Sequence, residues 1–153
     1  MPGSSPSGRG AGWVAAQFAL IAVVLALGAV APRWPGWVQL LGAPLVLAGG
    51  AAAVWAGRTL GSSLTPFPRP RPGGELVETG PYRFVRHPIY GAGVLFFLGY
   101  GLWASVPATA GVVALAALWR LKAGVEERYL TARFAGYDAY RLRVRRRLFP
   151  FLL

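Results

Sequence analysis

Apolar residues in this chain fall into long uninterrupted runs rather than into alternation or a helical stripe, and the runs have membrane length. From Trp13 to Ala31 the only polar side chain is Gln17. At 1.5 Å per residue this run covers about 28 Å, close to the ~30 Å of a bilayer's hydrocarbon layer. It is too long for the apolar region of a signal peptide, and Pro32 would follow the cleavage-like Ala29-Val30-Ala31, so it reads as an uncleaved span. Pro32-Arg33-Trp34-Pro35-Gly36 is a turn. A second span runs from Trp37 to Ala56, with Gln39 its only polar side chain and Trp37 and Trp55 near its ends, as an aromatic belt predicts. Ala48, Gly49, Ala52 and Ala53 set small residues at i, i+4 spacing, which suits close helix approach.

The third span is predicted over 88–105, with Pro88 in the first turn, where a missing N–H costs nothing. Pro107 turns the chain at once, so a tight helical hairpin should follow. The apolar run Ala108 to Trp119 is too short to cross alone, yet no stop signal comes before Gly136. One helix over about 108–134 is therefore expected. Its membrane part reaches about 122, with Arg120 and Lys122 snorkelling toward the headgroups. The spans are thus about 13–31, 37–56, 88–105 and 108–122. Between the second and third lies a polar stretch, 57–80, in which Arg69-Pro-Arg-Pro-Gly-Gly cannot be helical. Residues 1–12 read as a flexible tail, and 13–153 as a single domain. The fold class is all-α, an integral membrane bundle of four transmembrane helices with a cytoplasmic helical extension at the C-terminus.

Charge orients the bundle. The tail, the 57–87 loop and the C-terminal part share one side and hold every Arg and Lys except Arg33. The positive-inside rule puts that side, with both termini, in the cytoplasm, and a bacterial cytoplasmic membrane is the expected location. A net charge of +11 suits either nucleic acid or an anionic membrane surface. With 55% hydrophobic and only 14% charged residues, against about 25% charged in soluble domains, the membrane reading prevails and nucleic acid is not an expected partner. The absence of cysteine excludes disulfides and thiolate chemistry, and the single histidine, His87, excludes a multi-histidine metal site.

Chemistry-bearing residues gather in two cytoplasmic clusters. The first, Thr79-Gly-Pro-Tyr82-Arg83-Phe-Val-Arg86-His87-Pro88-Ile89-Tyr90, sits at the start of a membrane helix, where free N–H groups favour an anion. Topogenic arginines and interfacial tyrosines are the plainer account of the same residues. The second is Lys122-Ala-Gly-Val-Glu126-Glu127, where Lys122 and Glu126 share a helix face and an exposed i, i+4 pair is the plainer account. Farther on, Arg141-Leu-Arg-Val-Arg-Arg-Arg147 alternates charge with apolar residues and suits anionic headgroups.

Taken together, Leu-Val-Glu-Thr-Gly-Pro-Tyr-Arg-Phe-Val-Arg-His-Pro-Ile-Tyr-Gly (76–91), the hairpin, Glu126-Glu-Arg-Tyr-Leu and Tyr137-Asp-Ala-Tyr-Arg-Leu-Arg-Val-Arg-Arg-Arg-Leu-Phe-Pro150 resemble the isoprenylcysteine carboxyl methyltransferase family, which is related to phospholipid N-methyltransferases. The resemblance covers about half the chain. It implies S-adenosylmethionine as cofactor, with Leu76, Val77, Tyr82, His87, Pro88, Ile89, Tyr90 and Glu126 binding it. The acceptor would be a lipophilic or lipidated molecule reaching the site from among the membrane lipids, with Lys122 and Arg120 as its candidate contacts. Methylation of an isoprenylcysteine-like carboxylate is the first expectation, and of a phospholipid or a small lipophilic amine or thiol the second. An NADPH-dependent membrane reductase and a non-enzymatic membrane scaffold are the rivals from other classes. Glu126→Gln is expected to weaken binding of S-adenosylmethionine at least about tenfold, and Glu127, about 100° round the helix, to tolerate the same change much better.

Overall fold

A computed structural model describes residues 10–150; most of the predicted tail lies outside them. Five α-helices follow one another: α1 (Ala11–Val30), α2 (Gly36–Leu60), α3 (Pro88–Ala104), α4 (Val106–Arg133) and α5 (Tyr137–Arg143). Short 3-10 turns occupy Gly61–Ser63 and Gly80–Arg83, and there is no β-strand among the described residues. The protein is all-helical. The segments Ala11–Val30, Gly36–Ser63 and Val106–Arg133 are long and apolar enough to cross a membrane, while the apolar α3 is shorter, at 17 residues.

The hairpin between α3 and α4 is as tight as Pro107 predicts. One residue, the fully buried Ser105, separates the two helices. Its hydroxyl caps α4 by accepting from the Ala108 N–H at 3.2 Å and donates to the Leu27 carbonyl at 3.0 Å, which ties the turn to the end of α1. Trp34 in the α1–α2 turn donates its indole N–H to Thr109 at 3.1 Å, so the turn and the hairpin are joined on the same side of the bundle.

In lipid the hydrophobic effect does not drive helix against helix, so close approach must come from shape. α2 packs on α3, α3 on α4, and α4 on α1. The small-residue contact between α2 and α3 uses Gly42, Gly49 and Gly99, whereas Ala48 faces outward. A Cβ on Gly49 would lie 2.5 Å from the Phe96 nitrogen, and one on Gly99 2.6 Å from that of Val46. Of the predicted small residues, Gly49 therefore makes the close approach, Ala52 and Ala53 are half-buried and Ala48 lies outside it. Backbone cannot yield as a side-chain tip can, so Gly49→Val should destabilise the detergent-solubilised protein by about 1–3 kcal/mol. Thermal unfolding checks this, with Ala48→Val, on the outer face, expected to behave as wild type. Between α1, α3 and α4, Val24, Val94, Val112, Leu115 and Trp119 form a buried core cluster.

Candidate active site

At the end of the bundle where α1 begins and α2 ends lies a cavity of about 400 Å³. Its walls come from α1, the 60–77 loop, the 3-10 turn at Gly80–Arg83, α3, α4 and α5. Of the residues expected at a cofactor site, Leu76, Val77, Tyr82, His87, Ile89, Tyr90 and Glu126 all line it. Pro88 does not; it is buried at the first position of α3, where it starts the helix. Lys122 reaches the cavity wall, while Arg120 is exposed on α4 and does not line the cavity.

The two clusters that the sequence separates by some forty positions meet through His87. Its Nδ1 lies 3.3 Å from Glu126 Oε2, and its Nε2 lies 3.2 Å from Glu127 Oε1. Both ring nitrogens can donate at once only in the imidazolium form. Burial opposes that charge, but hydrogen bonds to the two carboxylates and their negative charge outweigh it, holding the His87 pKa above its ordinary value. Tyr90 donates its hydroxyl to Glu126 Oε1. The Tyr90 ring is stacked between His87 and Trp119, at centroid distances of 5.7 and 5.8 Å. Glu126 thus has both oxygens oriented, yet its side chain keeps 16% of its surface open, toward the cavity it lines.

Glu127 is the more deeply buried of the pair and, unlike Glu126, does not line the cavity. It receives Arg86 Nε at 2.9 Å, Arg147 Nε at 3.0 Å and Arg147 Nη2 at 2.8 Å. Arg86 also donates to the carbonyls of Val144 and Arg145, each at 2.7 Å, while the backbone N–H groups of Arg86 and His87 bond the carbonyls of Arg146 and Arg147. This folds the C-terminal basic run back across the start of α3. Gly91 is required there, because any Cβ would strike the Leu148 carbonyl. Of the run expected at headgroups, Arg141 pairs with Asp138, Arg143 with Glu78 and Arg147 with Glu127, leaving Arg145 and Arg146 exposed and without an ion pair among the described residues.

Lys122 is fully enclosed and makes no ion pair with Glu126. Its ammonium donates to Gln17 Oε1 at 2.8 Å and to the Pro66 carbonyl at 2.7 Å, and it lies 5.3 Å from the Tyr90 ring centre. It fastens α1 and the proline-rich loop to the aromatic stack. The spacing of Lys122 and Glu126 suggests a surface pair because the lysine's true partners come from α1 and the loop, far away in sequence.

Two further wall residues carry no site role in the sequence reading. Gln17 appears there only as an interruption of the first span. Tyr137, at the start of α5, is 1% exposed, and its hydroxyl is the one buried side-chain polar atom without a hydrogen-bond partner among the described residues. Its neighbour Tyr140 is satisfied by the Tyr82 carbonyl at 2.7 Å. Burial, first, and the nearby Glu127 push the Tyr137 hydroxyl upward in pKa, so it stays protonated and able to donate.

An all-helical membrane protein with a ligand-sized cavity at its helix ends, lined by a carboxylate and stacked aromatics, fits a membrane enzyme acting on small molecules. The family model for phospholipid methyltransferases matches residues 37–136. The match spans well over half of the chain, which therefore belongs to that family. This is a family of methyltransferases rather than of reductases or scaffolds, and the chain is a membrane methyltransferase. No curated protein matches the chain.

Proposed function

We propose that the methyl donor is S-adenosylmethionine, bound in the cavity at the helix ends, and that the acceptor arrives from the bilayer. α3 is then a fourth crossing of a bacterial cytoplasmic membrane, with both termini cytoplasmic, an orientation that rests on the arginine asymmetry. The observation that carries the reading is the convergence of Glu126, Tyr90, Tyr82 and Tyr137, whose buried hydroxyl has no partner among the described residues, on the wall of one cavity. Its size falls within the 300–1,000 Å³ typical of small-molecule sites.

When bound, the cofactor supplies a methyl group on a sulfonium centre. The residues present fit such a molecule. Glu126 accepts hydrogen bonds from its ammonium or ribose hydroxyls, and the tyrosine faces meet the adenine or the sulfonium charge. Tyr137 donates to one of its polar atoms. His87 and Tyr90 keep the Glu126 carboxylate aimed, and the proline-rich loop held by Lys122 shuts water out. A carboxylate acceptor, the first choice, is already a nucleophile and needs no base. The family match favours a second acceptor, a phospholipid amine, whose ammonium must first lose a proton. Glu126, a carboxylate of the cavity wall beside the aromatic stack, would take it.

Equilibrium binding of S-adenosylhomocysteine to the detergent-purified protein tests the cofactor assignment. Wild type should bind, and Tyr137→Phe should bind about threefold to tenfold more weakly, the value of one ordinary hydrogen bond. Ligand-free Tyr137→Phe should melt at or above the wild-type temperature, since it loses only an unsatisfied hydroxyl. Tyr140→Phe, which breaks a bond to Tyr82, should melt lower. Absence of binding by wild type refutes the S-adenosylmethionine reading. Methyl transfer to an N-acetylated farnesylcysteine, compared with phosphatidylethanolamine in vesicles, separates the two acceptors.

A further inference from the structure

Gln17 is the only polar side chain in the apolar run of α1, and it belongs to the part of the chain that precedes the family match. It lies about 9 Å along the helix axis from Ala11, inside a span, and it lines the cavity. A polar side chain in such a place is costly and calls for a function. Its carboxamide oxygen accepts from the Trp119 indole N–H at 3.0 Å and from the Lys122 ammonium at 2.8 Å. Both of those groups are donors only, so the orientation of the amide is fixed by chemistry: the oxygen must face them. The amide nitrogen then turns its two N–H groups the other way. It has no partner among the described residues. Unlike the enclosed Lys122, Gln17 is only half-buried, so the cavity's contents can reach it.

The cavity wall is thereby sorted by hydrogen-bond sense. Glu126 offers an acceptor on α4, and Gln17 offers donors on the membrane helix α1. We propose that Gln17 is a specificity-determining residue whose amide N–H groups donate to an anionic oxygen of the methyl acceptor, a carboxylate or a headgroup phosphate. This deepens the proposed function and rests on it.

Gln17→Glu isolates the claim. The variant keeps an oxygen for Trp119 and Lys122, so the local structure is preserved, but it replaces the N–H donors with a second oxygen carrying negative charge. The measurements are KM for an N-acetylated farnesylcysteine and for phosphatidylethanolamine vesicles. They are joined by equilibrium binding of the farnesylcysteine without methyl donor, binding of S-adenosylhomocysteine, and thermal unfolding. For whichever acceptor wild type uses, Gln17→Glu should raise KM at least about tenfold, as expected for loss of a hydrogen bond to a charged group. It should weaken acceptor binding by a similar factor and leave S-adenosylhomocysteine affinity within about twofold of wild type. The acid responding identifies a carboxylate, and the vesicle arm responding identifies the phosphate. Gln17→Met, which keeps side-chain length without either polar atom, should show the same pattern and carries the comparison if Gln17→Glu fails to fold. Wild-type KM in Gln17→Glu overturns the proposal while leaving the methyltransferase reading intact. A lowered KM for phosphatidylethanolamine overturns it too, since the new carboxylate would then be attracting the acceptor's ammonium. If wild type binds S-adenosylhomocysteine but methylates and binds neither probe, the proposal falls and the cofactor assignment stands. If wild type does not bind S-adenosylhomocysteine, both fall.

Discussion

Glu127→Ala is expected to cost the protein about 3 kcal/mol of stability, the lower end of what breaking a buried ion pair costs. The size follows from what the substitution leaves behind. Arg86 is almost wholly enclosed, with 7% of its side chain exposed, and Arg147 is only partly open, at 30%. Both lose their carboxylate, and His87 loses one of the two that hold its charge. Two of these three cations cannot move to water without releasing the C-terminal strap from the start of α3. The unfolding midpoint of the detergent-solubilised protein measures the loss. Limited proteolysis after Val144 should quicken at the same time. Glu127→Gln, which still accepts hydrogen bonds, should lose less. A midpoint equal to wild type for the alanine variant would show that the strap is held by its backbone bonds alone.

The helices were legible because their cause is local. Apolar runs of membrane length, Pro88 at a helix start and Pro107 at a hairpin need no partner to be read. The same is true of the proline-rich loop, whose residues exclude a helix by themselves. The core of the site was legible for another reason: the motif at 76–91 and the glutamate at 126 carry a family resemblance, and seven of the eight residues it implies line one cavity.

What could not be read is pairing across distance. Nothing in Arg141 to Arg147 distinguishes the arginine that reaches back to Glu127 from those that stay exposed, because the choice depends on the path of the chain after α5. Glu126 and Glu127 are chemically identical; the resemblance singles out Glu126, but that α4 turns Glu127 onto Arg86 and Arg147 depends on residues far away in sequence. Lys122 looked like half of a surface pair because the i, i+4 rule knows nothing of α1 or of the Pro66 carbonyl. Gln17 did leave a signal, as a lone polar residue in an apolar run, but the signal has no direction until Trp119 and Lys122 are placed against it. Tyr137 opens the resembling stretch at 137–150, but no site role attaches to one tyrosine among interfacial aromatics until its hydroxyl is found without a partner among the described residues.

The contrast between the adjacent glutamates yields the sharpest functional expectation. Glu126→Gln should weaken S-adenosylhomocysteine binding at least about tenfold, the loss of a charge-assisted hydrogen bond at a partly buried site. Its effect on folding should be small. Glu126 carries no arginine, so its neutralisation strands no guanidinium, and the amide oxygen can still accept the Tyr90 hydroxyl. His87 keeps Glu127 as a partner and so keeps a reason to be charged. Glu127→Gln should do the reverse, moving the unfolding midpoint more than ligand affinity. The measurement is a pair of curves for each variant, ligand titration and thermal unfolding, in the same detergent. A crossed pattern means that two neighbouring carboxylates divide the work, one facing the ligand and one holding the chain's end in place. Parallel losses at both positions would mean that His87 couples them too tightly to separate, and the Glu126–His87–Glu127 bridge would then act as a single unit on which binding and folding depend together.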